Sequence, residues 1–130
     1  MSRFKSILLI EDDPITIMVC ERIIRMTGFA AQLKSVTNGQ EAMDYLQEQA
    51  KKDEHNMPDI IFLDINMPVM NGWEFLEQFH KIEPLFNKQP SVYVLSSTVD
   101  PEDYARAASY GVVKRFVSKP LTKDVLESIE

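Results

Sequence analysis

Ile60-Ile61-Phe62-Leu63-Asp64-Ile65-Asn66-Met67-Pro68 is the stretch that decides the architecture of this chain. Four consecutive apolar residues bounded by turn chemistry fit a strand buried on both faces, and such strands belong to parallel sheets covered by helices. The strand delivers Asp64 to its carboxyl end. In open α/β sheets the crevice beyond those ends is where ligands bind, so an acid placed there points to chemistry.

Upstream of this strand, residues 6–10 (Ser-Ile-Leu-Leu-Ile) read as another buried strand that runs into Glu11-Asp12-Asp13. Asp13 suits a helix N-cap and Pro14 the first helical position, where a missing N–H costs little. Ile15, Val19, Ile23 and Met26 recur at helical spacing and are the expected buried face of a helix that Gly28 ends. Residues 30–36 carry fewer large apolar groups and read as an edge strand. Asn38-Gly39-Gln40-Glu41 offers a capping box, in which the Asn side chain takes the Glu41 N–H and Glu41 reaches back. The helix that follows, over 39–51, is expected to bury Ala42, Tyr45 and Leu46.

Downstream, Asn71-Gly72 marks a turn, and Trp73, Leu76, Phe79 and His80 lie at helical spacing up to Ile82. Pro84 stops that helix, and Leu85 and Phe86 suggest that the connection over 83–90 is packed down. Val92-Tyr93-Val94-Leu95 is a further buried strand and ends in Ser96-Ser97-Thr98. Asp100-Pro101 repeats the cap-plus-proline start for a helix that Gly111 closes. Arg115-Phe116-Val117 is a short last strand, followed by Ser118-Lys119-Pro120 and a helix capped by Thr122. The chain thus reads as five strand–helix pairs, which argues for a parallel sheet with helices on both faces. Glu11, Asp12, Asp64, Ser96 and Lys119 then converge on one rim.

At 130 residues the chain suits one domain, expected to be a single unit over 1–130 with no output domain. A net charge of −6 opposes a nucleic-acid footprint, which needs clustered Lys and Arg. No apolar run approaches the ~20 residues of a membrane span, and the amino terminus lacks a signal-like apolar region, so a cytoplasmic location is expected. The single Cys20 lies in an apolar helical pattern and reads as a small buried hydrophobe.

Three carboxylates about 4 Å apart repel one another by roughly 4 kcal/mol per pair at an effective dielectric near 20, so positive charge must share the rim. Lys119 supplies one such charge. A divalent cation supplies the rest, and with few protein oxygens on offer Mg²⁺ fits better than Ca²⁺. Because Mg²⁺ keeps waters and binds phosphate, the expected partner is a phosphoryl group, and a carboxylate can itself be its acceptor.

These residues resemble the receiver domain of two-component response regulators. The resemblance rests on Glu11-Asp12 after the first strand, Asp64-Ile65-Asn66-Met67-Pro68 with Met70-Asn71-Gly72, Ser96 after the fourth strand and Lys119-Pro120 after the fifth. It implies the flavodoxin-like doubly wound sheet of order 2-1-3-4-5, a fold for which a receiver protein is a standing example. It further implies that Asp64 is the phosphoacceptor, that Asp12 ligates Mg²⁺ directly with Glu11 acting mainly through water, and that the Asn66 backbone carbonyl completes the protein's share. Ser96 and Lys119 would hold phosphoryl oxygens, and the Lys119-Pro120 bond would be cis.

The resemblance also implies a switch built on Ser96 and Phe116, acting on the face of the fourth helix, fifth strand and fifth helix. Tyr104, Tyr110 and Arg115 are candidate partner contacts there. The phosphoryl donor would be a histidine kinase or histidine phosphotransfer protein, and the output an unknown downstream protein. Such a domain is a signalling phosphoacceptor rather than an enzyme and slowly hydrolyses its own phosphoaspartate, with Asn66 and Thr98 flanking the attacking water. Departures from the family pattern are Glu at 11 for the commoner Asp, Ser at 96 for Thr and Phe at 116 for Tyr. Two rival readings remain. A phosphorylation-independent interaction module would have lost Asp64, Asp12 or Lys119, and a haloacid-dehalogenase-type phosphatase would need a carboxylate where Asn66 stands.

Overall fold

The expected strand–helix alternation runs through the computed structural model, which describes residues 3–52, 57–86, 89–97 and 100–129. In order the elements are β1 (Phe4–Ile10), α1 (Pro14–Met26), β2 (Ala30–Val36), α2 (Gly39–Lys52), β3 (Ile60–Asp64), α3 (Gly72–Ile82), β4 (Ser91–Ser96), α4 (Pro101–Ala108), β5 (Val113–Ser118) and α5 (Lys123–Glu127). The strands form one parallel sheet of order β2-β1-β3-β4-β5. This is the flavodoxin-like order, with β3 at the centre and every carboxyl end on one side.

Alternation along the strands feeds two separate cores. Leu8, Ile10, Ile61, Leu63, Val92 and Val94 pack against α2 and α3 through Ala42, Leu46, Trp73, Leu76 and Phe79, with Ala107 of α4 closing that side. Residues of the other parity, Ile7, Leu9, Ile60, Phe62, Tyr93 and Leu95, meet Cys20 and Ile24 of α1 and Leu126 of α5. Burying each large side chain contributes roughly 1.5–3 kcal/mol, which is why the three inner strands are apolar at nearly every position.

Local chemistry sets the helix starts. Asp13 and Thr122 accept backbone N–H bonds from Thr16 and Val125, each at 3.2 Å, and Asp100 accepts one from Glu102 at 3.0 Å. Asn71, expected only in a turn, builds a full capping box with Glu74. Asn38 takes the Glu41 N–H at 2.9 Å as expected, but Glu41 reaches one residue further back and binds the Thr37 N–H at 2.7 Å and hydroxyl at 2.6 Å. The connection after α3 forms a short 3-10 helix over Glu83–Leu85 and buries Phe86.

One expected face is wrong. Ile15 and Met26 of α1 are 68% and 74% exposed, Val19 is exposed and Ile23 only half-buried, whereas Cys20 and Ile24 are buried. The helix carries apolar residues on both sides, so spacing alone admits two stripes. Arg22 and Arg25, exposed on the same side as Met18 and Met26, mark the side that faces water. Tyr45 of α2 is half-buried, with Met43 taking a core position beside Ala42 and Leu46, and His80 of α3 is exposed while Phe75 is buried.

Truncating Ile24 to Ala is expected to cost about 2–5 kcal/mol of unfolding free energy in urea titration. Ile15→Ser is expected to change it by less than about 0.5 kcal/mol, since that side chain is already in water.

Candidate functional site

Pairing register brings the rim together. Ile10 lies opposite Leu63, so Glu11 and Asp64 emerge level with each other, while Asp64 itself lies opposite Leu95. Ser96 pairs with Ser118 on β5, and the Lys119 N–H donates to the Ser96 carbonyl at 3.0 Å. Four strand ends therefore contribute one cluster. Glu11, Asp64 and Ser96 are buried at 1%, 5% and 2% exposure, and Asp12 is half-buried.

Carboxylate oxygens of Glu11, Asp12 and Asp64 all lie within 4.8 Å of one another. The Lys119 ammonium sits 2.9 Å from Glu11 Oε2 and 3.2 Å from Asp64 Oδ1. Burial pushes the Glu11 carboxyl up; Lys119 opposes this and the Asp64 charge adds to it. Burial likewise raises Asp64, against Lys119 and a hydrogen bond from the Asn66 N–H, and with Asp12 reinforcing it. Burial alone would lower Lys119, but its bonds to Glu11 and Asp64 outweigh that and raise it, so it remains an ammonium.

One ammonium against three carboxylates leaves the cluster short of positive charge. Glu11 Oε2, buried, lies 2.9 Å from that one ammonium and shares it with Asp64 Oδ1 at 3.2 Å, so neither carboxylate has a counter-charge of its own. A hard divalent cation answers this deficit, because carboxylate oxygens are its preferred donors. The residues present therefore fit a divalent metal site at Glu11, Asp12 and Asp64.

The loop after Asp64 is held by backbone contacts that residue types alone do not advertise. Gly72 donates its N–H to the Ile65 carbonyl at 2.8 Å, and a Cβ on Gly72 would come within 2.6 Å of the Asp64 carbonyl oxygen. Only glycine lets α3 start that close. Trp73 is buried beside Ile65 and Met67, as expected, and the Arg106 guanidinium lies 4.5 Å from its ring centre. The Lys119-Pro120 bond is cis.

At the far side of the rim, Phe116 is half-buried and its ring centre lies 4.1 Å from that of Tyr104. The Tyr110 hydroxyl donates to Glu77 of α3 at 2.5 Å, and Arg115 bonds the Ser128 hydroxyl at 2.8 Å. Asp13 is the N-cap of α1, and Asp59 accepts the Lys5 N–H at 2.8 Å, so both have structural duties. Cys20 is buried, with its thiol pushed up to about 11, chiefly by burial. Thr98 and His55 lie outside the described residues.

A doubly wound α/β unit with an acidic, lysine-paired rim at its strand ends is the class of protein that fold and site define. The family model for the response regulator receiver domain matches residues 7–129, and the chain belongs to that family, which places it in two-component signalling. It is similar to a two-component response regulator from Cytophaga hutchinsonii, whose crystal structure shares 42% identity and a TM-score of 0.87 over 95% of this chain and 92% of that one. The Mn²⁺-bound form of response regulator Rcp1, a Synechocystis protein, shares 25% identity and a TM-score of 0.75 over 94% of this chain and 86% of that one. The probable methanogenesis regulatory protein FilR2 of Methanothrix harundinacea is 30% identical over 125 residues, 95% of this chain and 78% of that protein. The chain spans only 51% of the rice two-component response regulator ORR1. Among the described residues no helix is long and apolar enough to cross a membrane.

Because burial raises Glu11 and Asp64, the folded protein holds protons where the unfolded chain has released them. Their contribution to stability is complete below the ordinary values of 4.5 and 3.8 and is lost as pH rises through the folded ones. Asp13 and Glu41 are lowered by hydrogen bonds, so their contributions fade only in more acid solution. In chelator, the thermal midpoint is expected to fall as pH rises above the ordinary carboxylate values of 4.5 and 3.8. Asp64→Asn is expected to flatten that slope. It should also raise stability near neutrality by on the order of 1 kcal/mol, as roughly 4 kcal/mol of repulsion per pair is relieved against the lost attraction to Lys119.

Proposed function

We propose that Asp64 accepts a phosphoryl group from a phosphohistidine of a partner protein in a Mg²⁺-dependent step, and that the modified aspartate biases the α4–β5–α5 face toward a downstream protein. The observation that carries this reading is a buried carboxylate held 3.2 Å from a lysine ammonium and within 4.8 Å of two further acids. An Asp64 carboxylate oxygen attacks phosphorus, the phosphorus–nitrogen bond to the donor imidazole breaks, and the imidazole leaves with the electron pair. Lys119 neutralises one equatorial oxygen and the Ser96 hydroxyl donates to another.

Glu11, Asp12 and Asp64, with the Asn66 carbonyl, would hold Mg²⁺, which supplies charge neutralisation at the transferring group. Three of these side chains converge in a donor set suited to a hard cation, and the similar Rcp1 structure is described as its Mn²⁺-bound form. The donor is a sensor histidine kinase or a histidine phosphotransfer protein. The exposed Ile15 and Met18 begin within a turn of Asp12 and give such a partner apolar surface beside the path to Asp64.

Once phosphorylated, Asp64 draws the Ser96 hydroxyl toward the new oxygens, and Phe116 turns into the space released. Its ring contact with Tyr104 supports this route, since moving one aromatic ring obliges the other, at the surface of α4, to repack. The protein acts as a phosphoacceptor and not as a turnover enzyme, and its phosphoaspartate hydrolyses slowly. Asn66, two residues beyond Asp64, influences the lifetime of the phosphoaspartate.

Incubation with acetyl phosphate and Mg²⁺ is expected to label the wild type at one aspartate and to leave Asp64→Asn unlabelled; equal label on the variant would refute the assignment. Lys119→Ala is expected to keep most of its Mg²⁺ affinity but to lose the chemical-shift changes on α4 and β5 that follow labelling. Unchanged shifts in that variant would remove Lys119 from the switch.

A further inference from the structure

The loop over 65–71 carries one residue in the left-handed region, and a backbone hydrogen bond from α2 meets its crown. Val69 has φ 66, and around it the Met70 N–H returns to the Pro68 carbonyl at 2.7 Å, a tight turn that β-branched residues rarely adopt. Conformations of this kind persist only where the surroundings impose them. At the base of the loop Gly72 bonds the Ile65 carbonyl at 2.8 Å, and at the crown the Gly39 N–H donates to the Met70 carbonyl, also at 2.8 Å. Gly39 is the first residue of α2, whose start is fixed by the Asn38 and Thr37 bonds to Glu41. A Cβ at Gly39 would lie 2.8 Å from Met70 Cγ, 2.9 Å from its carbonyl oxygen and 3.0 Å from its Sδ. Glycine is required here for close approach and not for its backbone angle.

We infer that Gly39 is a positioning residue for the cation and phosphoryl site: its N–H holds the 65–71 loop in the strained form that sets Asn66 against Asp64. The link from crown to chemistry is short, because Asn66 stands four residues before Met70 in the same loop, whose base is tied by the Gly72 N–H to the Ile65 carbonyl, one residue beyond Asp64. A loop released at Met70 relaxes at Val69 and carries Asn66 with it, loosening the acceptor and the backbone carbonyl assigned to the cation. The inference rests on the phosphoacceptor reading for its purpose, but its geometry concerns the cation site alone. It makes α2, which contributes no side chain to the rim, part of the machinery that shapes it.

Calorimetric titration with Mn²⁺ tests this. Gly39→Ala is expected to weaken Mn²⁺ binding about tenfold, the usual scale for losing a group that orients a metal ligand. Gly39→Ala combined with Met70→Ala removes the crowding against Cγ and Sδ but leaves the added Cβ against the carbonyl oxygen, so it should stay weakened. Leu46→Ala, buried in the same helix, is expected to lower the thermal midpoint while keeping wild-type Mn²⁺ affinity, and Gly111→Ala, whose Cβ meets nothing within 4 Å, should change neither. Wild-type affinity in Gly39→Ala, full recovery in the double variant, an equal loss in folded Leu46→Ala, or a wild type that binds no Mn²⁺ each overturns the proposal. Failure of phosphoramidate to label the wild type at Asp64 would instead sink the phosphoacceptor reading, while the Mn²⁺ comparison still decides the role of Gly39.

Discussion

Three carboxylates in a largely desolvated rim, held against one lysine, are the constraint around which the rest of the chain is arranged. Left alone, such a cluster destabilises the fold, because each charge has lost water and gained a like neighbour. Lys119 at 2.9 Å from Glu11 and 3.2 Å from Asp64 offsets part of the repulsion. The remainder is a standing affinity for positive charge. Stability and function are opposed here in the usual sense: the site is costly to build because it is built to receive something.

The fold tolerates that cost by placing the cluster outside two well-filled cores. Side chains of alternate parity on β1, β3 and β4 pack separately against α2 with α3 and against α1 with α5. Among the described residues the buried charged side chains are Glu11 and Asp64, and both stand where strands end. A parallel sheet makes this economical, since all carboxyl ends share one side and each strand can contribute one polar group without disturbing its neighbours. Glu at position 11 exploits the arrangement, its longer side chain reaching the Lys119 ammonium directly.

Around the cluster, backbone contacts do the fine placement. Gly72 brings α3 against the Asp64 carbonyl, Gly39 brings α2 against Met70, and Lys119 is tied through its N–H to Ser96. Outward from the rim, Phe116 meets Tyr104 and Trp73 meets Arg106, so two aromatic contacts connect the neighbourhood of Asp64 to α4.

Much of this was legible in the residues alone. Runs such as 60–63 and 92–95 announce buried strands because a strand covered on both faces has no polar side, and Asp13-Pro14 and Asp100-Pro101 announce helix starts because their chemistry is local. The five rim residues were legible too, each standing within two residues of the end of an apolar run. Spacing misjudged α1, because apolar residues on both of its sides leave the choice to whichever side finds a partner across space. It also marked Gly39 and Gly72 only as helix-start and turn signals, whereas their importance lies in a carbonyl 2.8 Å from the Gly39 N–H and another that an added Cβ on Gly72 would meet at 2.6 Å, a fact about packing across the chain. Local sequence determines what a segment can form, since propensity, capping and periodicity act within a few residues. Which faces meet, which glycine is indispensable and how strained the loop beside Asp64 must be were decided only when the segments packed, because exclusion of atoms from the same space is a property of the assembled chain.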